Sequence, residues 1–210
     1  MIRVLVADDH AMVRRGLREL LAETADIEVA SEAATAAEAL DSIRQQPFDV
    51  VLLDISMPGR GGLDLLGEIK AERPDLPVLI FTMHPEDQYA VRALKAGASG
   101  YLTKDSAPDV LVEAVRRAAA GGRYVSPALG EKLALHLDDA RQREPHELLS
   151  NREYQVFRRL AGGRTVSQIA EELSLSVKTV STYRTRILEK MGLGTNAALM
   201  QYAFRQKLVD

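Results

Sequence analysis

The sequence predicts an α/β domain built on a doubly wound, five-stranded parallel sheet, followed by a smaller all-α domain of four helices. Three observations predict it. Across residues 1–122, five short apolar runs alternate strictly with five stretches of helical spacing, the pattern of a parallel sheet covered by helices on both faces. Residues 147–210 carry helical spacing only. The charge divides at the same place: residues 1–145 hold 17 Lys and Arg against 24 Asp and Glu, a net −7, whereas 146–210 hold 10 against 6, a net +4. An acidic front and a basic back suit a polyanion partner for the back alone.

The first apolar run is 2–7, closed by Asp8-Asp9. Residues 10–23 follow with Val13, Leu17, Leu20 and Leu21 on one side of a helix. His10 reads as a helix-start residue rather than a ligand. A second strand is placed at 27–31, and Thr35 with Glu38 forms a capping box for a helix to about Gln46. The third strand, 49–53, is apolar at four consecutive positions, as a strand buried on both faces requires. It ends on Asp54, and a turn through Pro58, Gly59, Gly61 and Gly62 leads into a helix over 63–73. Pro74 and Pro77 bracket the entry to strand four, 78–81; a helix around 88–95 stops at Gly97. Strand five is 99–102, and Ser106 with Pro108 starts a helix that ends at Gly121-Gly122.

The carboxyl ends of such strands form the ligand crevice of open α/β sheets. Asp8, Asp9, Asp54, Thr82 and Lys104 each follow their own apolar strand and so collect there. Alone, Asp54 is read as a helix cap or a strand end in preference to a site; the repetition decides for a site. Several carboxylates in one crevice call for a proton or a cation. Oxygen ligands and the absence of cysteine favour Mg²⁺. Lys104 supplies a point charge and Thr82 a hydroxyl for a phosphoryl oxygen. A carboxylate nucleophile, a Mg²⁺ and a lysine describe an aspartyl-phosphate site.

The set Asp8-Asp9, Asp54 with Met57-Pro58, Thr82 and Lys104 resembles the receiver domain of two-component response regulators over residues 1–122. The resemblance implies that Asp54 is the phosphoacceptor of a sensor histidine kinase. It implies that Asp9, Asp54 and the backbone carbonyl of Ser56 ligate Mg²⁺, with Asp8 helping indirectly or through water. Thr82 and Lys104 would contact the phosphoryl oxygens, and Tyr101 matches the family's switch aromatic. Ser56 and His84 stand where the family borders the hydrolytic water.

Residues 123–146 read as a partly helical linker. Arg123-Tyr124-Val125-Ser126-Pro127 opens it, Leu129, Leu133, Leu135 and Leu137 support a helix starting at Pro127, and 138–147 is a charged run. Beyond it, Ser150 with Glu153 and Thr165 with Gln168 are capping boxes for two helices; Ser176 and Thr195 cap two more. The short turn before Ser176 suggests a helix-turn-helix. On a helical wheel of 176–191, Val177, Val180, Ile187, Leu188 and Met191 share one face. Lys178, Ser181, Thr182, Thr185, Arg186 and Glu189 share the opposite one, with Thr179 beside them, and would enter a major groove of double-stranded DNA. Lys190 and Arg164 are placed for phosphate contacts, and Arg184 is read as reaching a phosphate from the apolar side.

The stretches Leu149-Ser150-Asn151-Arg152-Glu153, Ile169 to Leu173, Ser176 to Ser181 and Lys190-Met191-Gly192-Leu193 are similar to the LuxR-type helix-turn-helix of the NarL/FixJ regulators, over 147–210. Ser181 stands where the family usually has Lys or Asn, and Tyr183 where it usually has His. The final helix, with Leu199, Met200 and Phe204, resembles the family's dimerisation helix. The implied protein is not an enzyme but a cytoplasmic regulator of transcription that dimerises when phosphorylated, with RNA polymerase as a further partner and no membrane contact. Two rival readings are a DNA-binding regulator controlled by protein partners without phosphorylation, and a phosphohydrolase using Asp54 covalently. The intact acceptor, metal and lysine positions argue against the first; the unexplained second domain argues against the other.

The bulk properties agree. The apolar fraction of 46% is ordinary for a globular protein, no apolar stretch is long enough to span a bilayer, and the first residues read as a strand rather than a signal peptide. The chain has no cysteine, which excludes disulfides and thiolate metal sites and suits the cytosol.

Overall fold

Strand β3, Val50–Leu53, is buried at all four positions and lies at the middle of the sheet. A computed structural model of the chain describes residues 1–57, 61–131 and 144–209. They fall into two units, Met1–Leu133 and Ala134–Asp210.

In the first unit, β1 (Ile2–Ala7), β2 (Ile27–Ala33), β3, β4 (Val78–Thr82) and β5 (Gly100–Thr103) alternate with α1 (Ala11–Ala22), α2 (Ala36–Gln45), α3 (Gly62–Glu72), α4 (Glu86–Lys95) and α5 (Pro108–Ala119). The sheet order is β2-β1-β3-β4-β5, and every pairing is parallel. The order reverses direction between β1 and β3, which opens the crevice used by ligands in doubly wound sheets. One face packs Val4, Val6, Leu52, Leu79 and Phe81 against Leu17 and Leu21 of α1 and Leu111, Ala114 and Val115 of α5. Alternation along the strands turns Leu5, Val51, Leu53 and Ile80, all fully buried, to the other face.

Most boundaries fall within a residue of the sequence reading, and two differ from it by two residues for identifiable reasons. Strand β2 runs on to Ala33 because Glu28, Ser31 and Glu32 belong to a half-buried edge strand, where polar residues are at home; Glu32 binds Arg14 and Arg18 of α1. Helix α4 starts at Glu86, directly after Pro85, because its first turn is polar and invisible to apolar spacing. Thr35 caps α2 as expected, but Glu38 reaches back to the Ala34 N–H instead of closing the box on Thr35.

After α5 the chain stays on the sheet: Tyr124 N–H donates to the Ser99 carbonyl and forms a parallel bridge with Gly100. Ser126 Oγ then donates to Glu86 Oε2 at 2.6 Å and accepts from Leu129 N–H, capping a helical stretch over 127–131 whose Leu129 is fully buried. The expected helix therefore does begin at Pro127. Leu133, Leu135, Leu137, Pro58 and Gly59 lie outside the described residues.

The second unit opens with a 3₁₀ turn, Pro145–Leu148, and continues as α6 (Asn151–Ala161), α7 (Val166–Glu172), α8 (Val177–Met191) and α9 (Asn196–Arg205). Both predicted capping boxes form, Ser150 with Glu153 and Thr165 with Gln168. Ser176 and Thr195 accept from the backbone N–H three residues on. Gly192 ends α8 in the left-handed conformation, φ 63°, which glycine adopts without steric cost. Tyr154, Val156, Phe157, Ile169, Val180, Ile187, Leu199 and Ala203 make the core. No helix among the described residues is long and apolar enough to cross a membrane.

Candidate functional site

Strand register gathers the predicted residues. Ala7 pairs with Leu53 and Thr82 with Thr103, so Asp8, Asp54, Thr82 and Lys104 emerge side by side at the carboxyl edge. Lys104 Nζ lies 2.7 Å from Asp54 Oδ2 and 2.6 Å from Asp8 Oδ2, with only 7% of its side chain exposed. Burial pulls the Lys104 ammonium down, yet its hydrogen bonds and ion pairs with Asp54 and Asp8 outweigh that and hold it above the ordinary lysine value. The other Asp54 oxygen, Oδ1, accepts from Ser56 N–H at 2.9 Å.

Thr82 is fully buried; its Oγ1 lies 3.4 Å from Ser56 Oγ and accepts a 3.4 Å bond from His84 N–H. Tyr101 is also fully buried, and its OH donates to the His84 carbonyl at 2.9 Å. The β4–α4 connection is thus held from two sides, by the Thr82 hydroxyl and by Tyr101.

The acidic pair faces the same crevice. Ligand atoms of Asp8, Asp9, His10 and Asp54 all lie within 4.8 Å of one another. Asp9 Oδ1 is buried without a hydrogen bond, 2.9 Å from His10 Nδ1. Three carboxylates against one lysine leave an excess of negative charge, and the donors are hard oxygens. This set fits a divalent cation such as Mg²⁺. His10 is the residue before α1, as a helix-start residue should be, but its ring turns to Asp8 and Asp9 and makes no capping bond.

Two supports were not legible as such. A Cβ on Gly62 would stand 2.4 Å from both the Asp54 carbonyl oxygen and Ile55 Cα, so only glycine lets α3 start this close to the acceptor's backbone. The sequence signal was the Gly61-Gly62 pair, read only as a turn. Arg14 Nη1 donates to the Asp8 carbonyl at 2.7 Å and fixes the acidic pair from α1. Its partner is a backbone atom, which no sequence pattern marks.

In the second unit, α8 presents Lys178, Ser181, Thr182, Thr185, Arg186 and Glu189 to solvent, with Thr179 half-buried. Thr182 and Thr185 donate their hydroxyls to the carbonyls of Lys178 and Ser181. Three sequence expectations are corrected here. Val177 does not join the inner face; it is 52% exposed, because the first residue of the helix lies beyond the turn that packs. Lys190 does not stand free for phosphate: its Nζ bonds Glu153 Oε2 at 2.7 Å, since that buried carboxylate requires a counter-charge. Burial pushes the Glu153 carboxyl up, but Lys190 and Ser150 outweigh it and hold it below the usual range. Arg184 donates to Asn196 Oδ1 at 2.6 Å instead of reaching outward. Arg164 remains largely exposed, 3.4 Å from Glu172.

Comparison with known proteins fits both units. Residues 4–116 match the response regulator receiver domain, and residues 147–203 match the bacterial regulatory proteins of the luxR family. The chain is similar to response regulator GacA of Pseudomonas viridiflava, 40% identical over 211 residues, covering 100% of this chain and 99% of the relative. It is 36% identical to response regulator UvrY of Escherichia coli K12, covering 100% of this chain and 97% of that one. Among solved structures it resembles RcsB from Salmonella enterica serovar Typhimurium bound to promoter rprA in the presence of the phosphomimetic BeF3⁻. The TM-score is 0.66 with 28% identity, over 96% of this chain and 98% of that chain. A receiver followed by a luxR-type DNA-binding domain, matched end to end by response regulators, makes this chain a member of the NarL/FixJ family of two-component response regulators, which regulate and are not enzymes.

Proposed function

We propose that Asp54 accepts a phosphoryl group from a sensor histidine kinase, and that the phosphorylated chain dimerises and binds operator DNA to control transcription. The reading takes residues 1–122 as receiver, 147–210 as the DNA-binding domain and 123–146 as their tether, working in the cytoplasm. Its main support is the Lys104 clamp on Asp54 and Asp8 within a buried, oxygen-lined crevice.

In this mechanism an Asp54 carboxylate oxygen attacks phosphorus; the phosphorus–oxygen bond forms as the donor's phosphorus–nitrogen bond breaks, and the histidine nitrogen leaves with the electron pair. Lys104 and Thr82 receive the phosphoryl oxygens, Lys104 by charge and Thr82 through its hydroxyl. Asp9, Asp54 and the Ser56 carbonyl would hold Mg²⁺, with Asp8 acting indirectly, and the ion would offset the charge gathered at the acceptor. When Thr82 turns toward the phosphoryl group it gives up its 3.4 Å bond from His84 N–H, and Tyr101 follows the freed β4–α4 connection. This shifts the population of receiver surfaces toward one that supports dimerisation.

On the DNA side, Lys178, Thr179, Ser181, Thr182, Thr185 and Arg186 meet the major groove. Met200 and Phe204, 41% and 70% exposed one turn apart on α9, supply an apolar stripe for the dimer. The test is light scattering and DNA retardation with Mg²⁺ and acetyl phosphate, on wild type and Asp54→Ala. A dimer and tighter DNA binding in wild type alone support the mechanism. Identical behaviour of both chains refutes it and favours control by protein partners.

A further inference from the structure

We infer that Val177 reads the C5-methyl group of a thymine in the major groove. This rests on the DNA-binding reading of α8 and adds the base recognised. Among the described residues of α8, the aliphatic side chains Val180, Ile187 and Met191 are buried and Leu188 is half-buried. Val177 stands apart: it is 52% exposed at the first position of the helix. A single exposed valine is ordinary in itself; what singles out Val177 is its place at the first position of the recognition helix, the end that approaches base edges.

The position and the chemistry agree. The N-terminal residues of the second helix of a helix-turn-helix are the ones that approach base edges. Ser176 accepts from Thr179 N–H at 3.0 Å, so the first turn is capped and Val177 is held in helical register. Its neighbours three and four residues on are Val180, buried, and Ser181, exposed and polar; with exposed Lys178 directly after it, Val177 sits at the border of the polar face. Base edges in the major groove offer donors, acceptors and one apolar group, the thymine methyl. An aliphatic side chain has no other match there, and a phosphate would leave it unpaired.

The hydrogen-bonding inventory of the face makes this contact more decisive. Thr182 and Thr185 use their hydroxyl protons on the carbonyls of Lys178 and Ser181. Thr179 Oγ1 lies 2.7 Å from Ser176 Oγ and is engaged there, so the direct donors to base acceptors are Lys178, Ser181 and Arg186. A helix with few free donors leans on apolar discrimination.

The test uses the full chain with Mg²⁺ and acetyl phosphate. Binding sites are selected from random double-stranded DNA, and each thymine of the selected site is replaced in turn by deoxyuridine, which removes only the methyl. Wild type should lose affinity about fourfold per half-site at one thymine, the worth of one buried methyl group. Val177→Ala should bind the thymine and deoxyuridine sites equally, while keeping the salt dependence set by phosphate contacts. Val177→Ile should restore the difference. If Val177→Ala keeps the wild-type loss at every thymine, the inference is overturned while DNA binding stands. If no sequence is enriched by the wild type, the DNA-binding reading falls and this inference falls with it.

Discussion

Lys104 Nζ sits 2.7 Å from Asp54 Oδ2 and reaches Asp8 with the same ammonium, so one cation separates two buried carboxylates that would otherwise face each other. Removing one partner from such a group leaves charge buried and uncompensated. Lys104→Met should lower the stability of the first unit by roughly 3 kcal/mol near pH 7.5 in EDTA. Added Mg²⁺ should recover part of it. Urea unfolding followed by far-UV circular dichroism, with and without the cation, measures both. A loss unaffected by Mg²⁺ would count against the acidic crevice as a cation site.

The pH dependence of that difference has a definite sign. The Lys104 ammonium is held above its ordinary value, so its contribution is fully present below about pH 10.4 and fades as pH climbs through the raised folded value. The gap between wild type and Lys104→Met should therefore stay open across neutral pH and close on the alkaline side.

Glu153 behaves oppositely. Its carboxyl is held below the usual range, so the stability it brings is present above about pH 4.3 and lost as pH falls through the lower folded value. Lys190→Met should cost about 1 kcal/mol at pH 7, a value suited to a pair with one half-exposed partner. The cost should shrink as Glu153 protonates. Acid titrations of the two chains, read through the second unit's unfolding midpoint, check this. A cost that grows toward low pH would contradict the assignment.

Gly62→Ala places a methyl carbon 2.4 Å from the acceptor's own carbonyl oxygen and from Ile55 Cα. Neither is the end of a flexible side chain, so the start of α3 must move away from Asp54. Such overpacking costs about 1–3 kcal/mol. The unfolding midpoint should fall accordingly, and phosphorylation from acetyl phosphate should slow, because Ser56 N–H would leave its place on Asp54 Oδ1. Unchanged stability and rate would show that the loop absorbs the methyl.

These expectations separate what local sequence encodes from what only the fold supplies. The buried apolar runs 50–53 and 78–81 were legible because a parallel strand covered on both faces needs unbroken apolar residues. The placement of Asp8, Asp54, Thr82 and Lys104 was legible for a related reason: the end of each run fixes which residue meets the crevice. The capping boxes at Ser150 and Thr165 were legible because their partners lie three residues away. Glu153 shows where this stops. Its box was visible, whereas its bond to Lys190, 37 residues on, depends on how α6 and α8 meet. Arg184 with Asn196 and Arg14 with the Asp8 carbonyl are the same kind of relationship. A wheel also treats every position of a face alike, so it placed Val177 inward with Val180, although at the first position of α8 Val177 is 52% exposed while Val180 is buried.

Phosphorylation of Asp54 is read most directly from the intact mass of the purified chain after incubation with Mg²⁺ and acetyl phosphate, beside an Asp54→Asn control. One phosphoryl adduct is expected in the wild type, absent in the control and absent when EDTA replaces the cation. An adduct that persists in Asp54→Asn, or none in wild type even with a phosphorylated histidine kinase as donor, would contradict it.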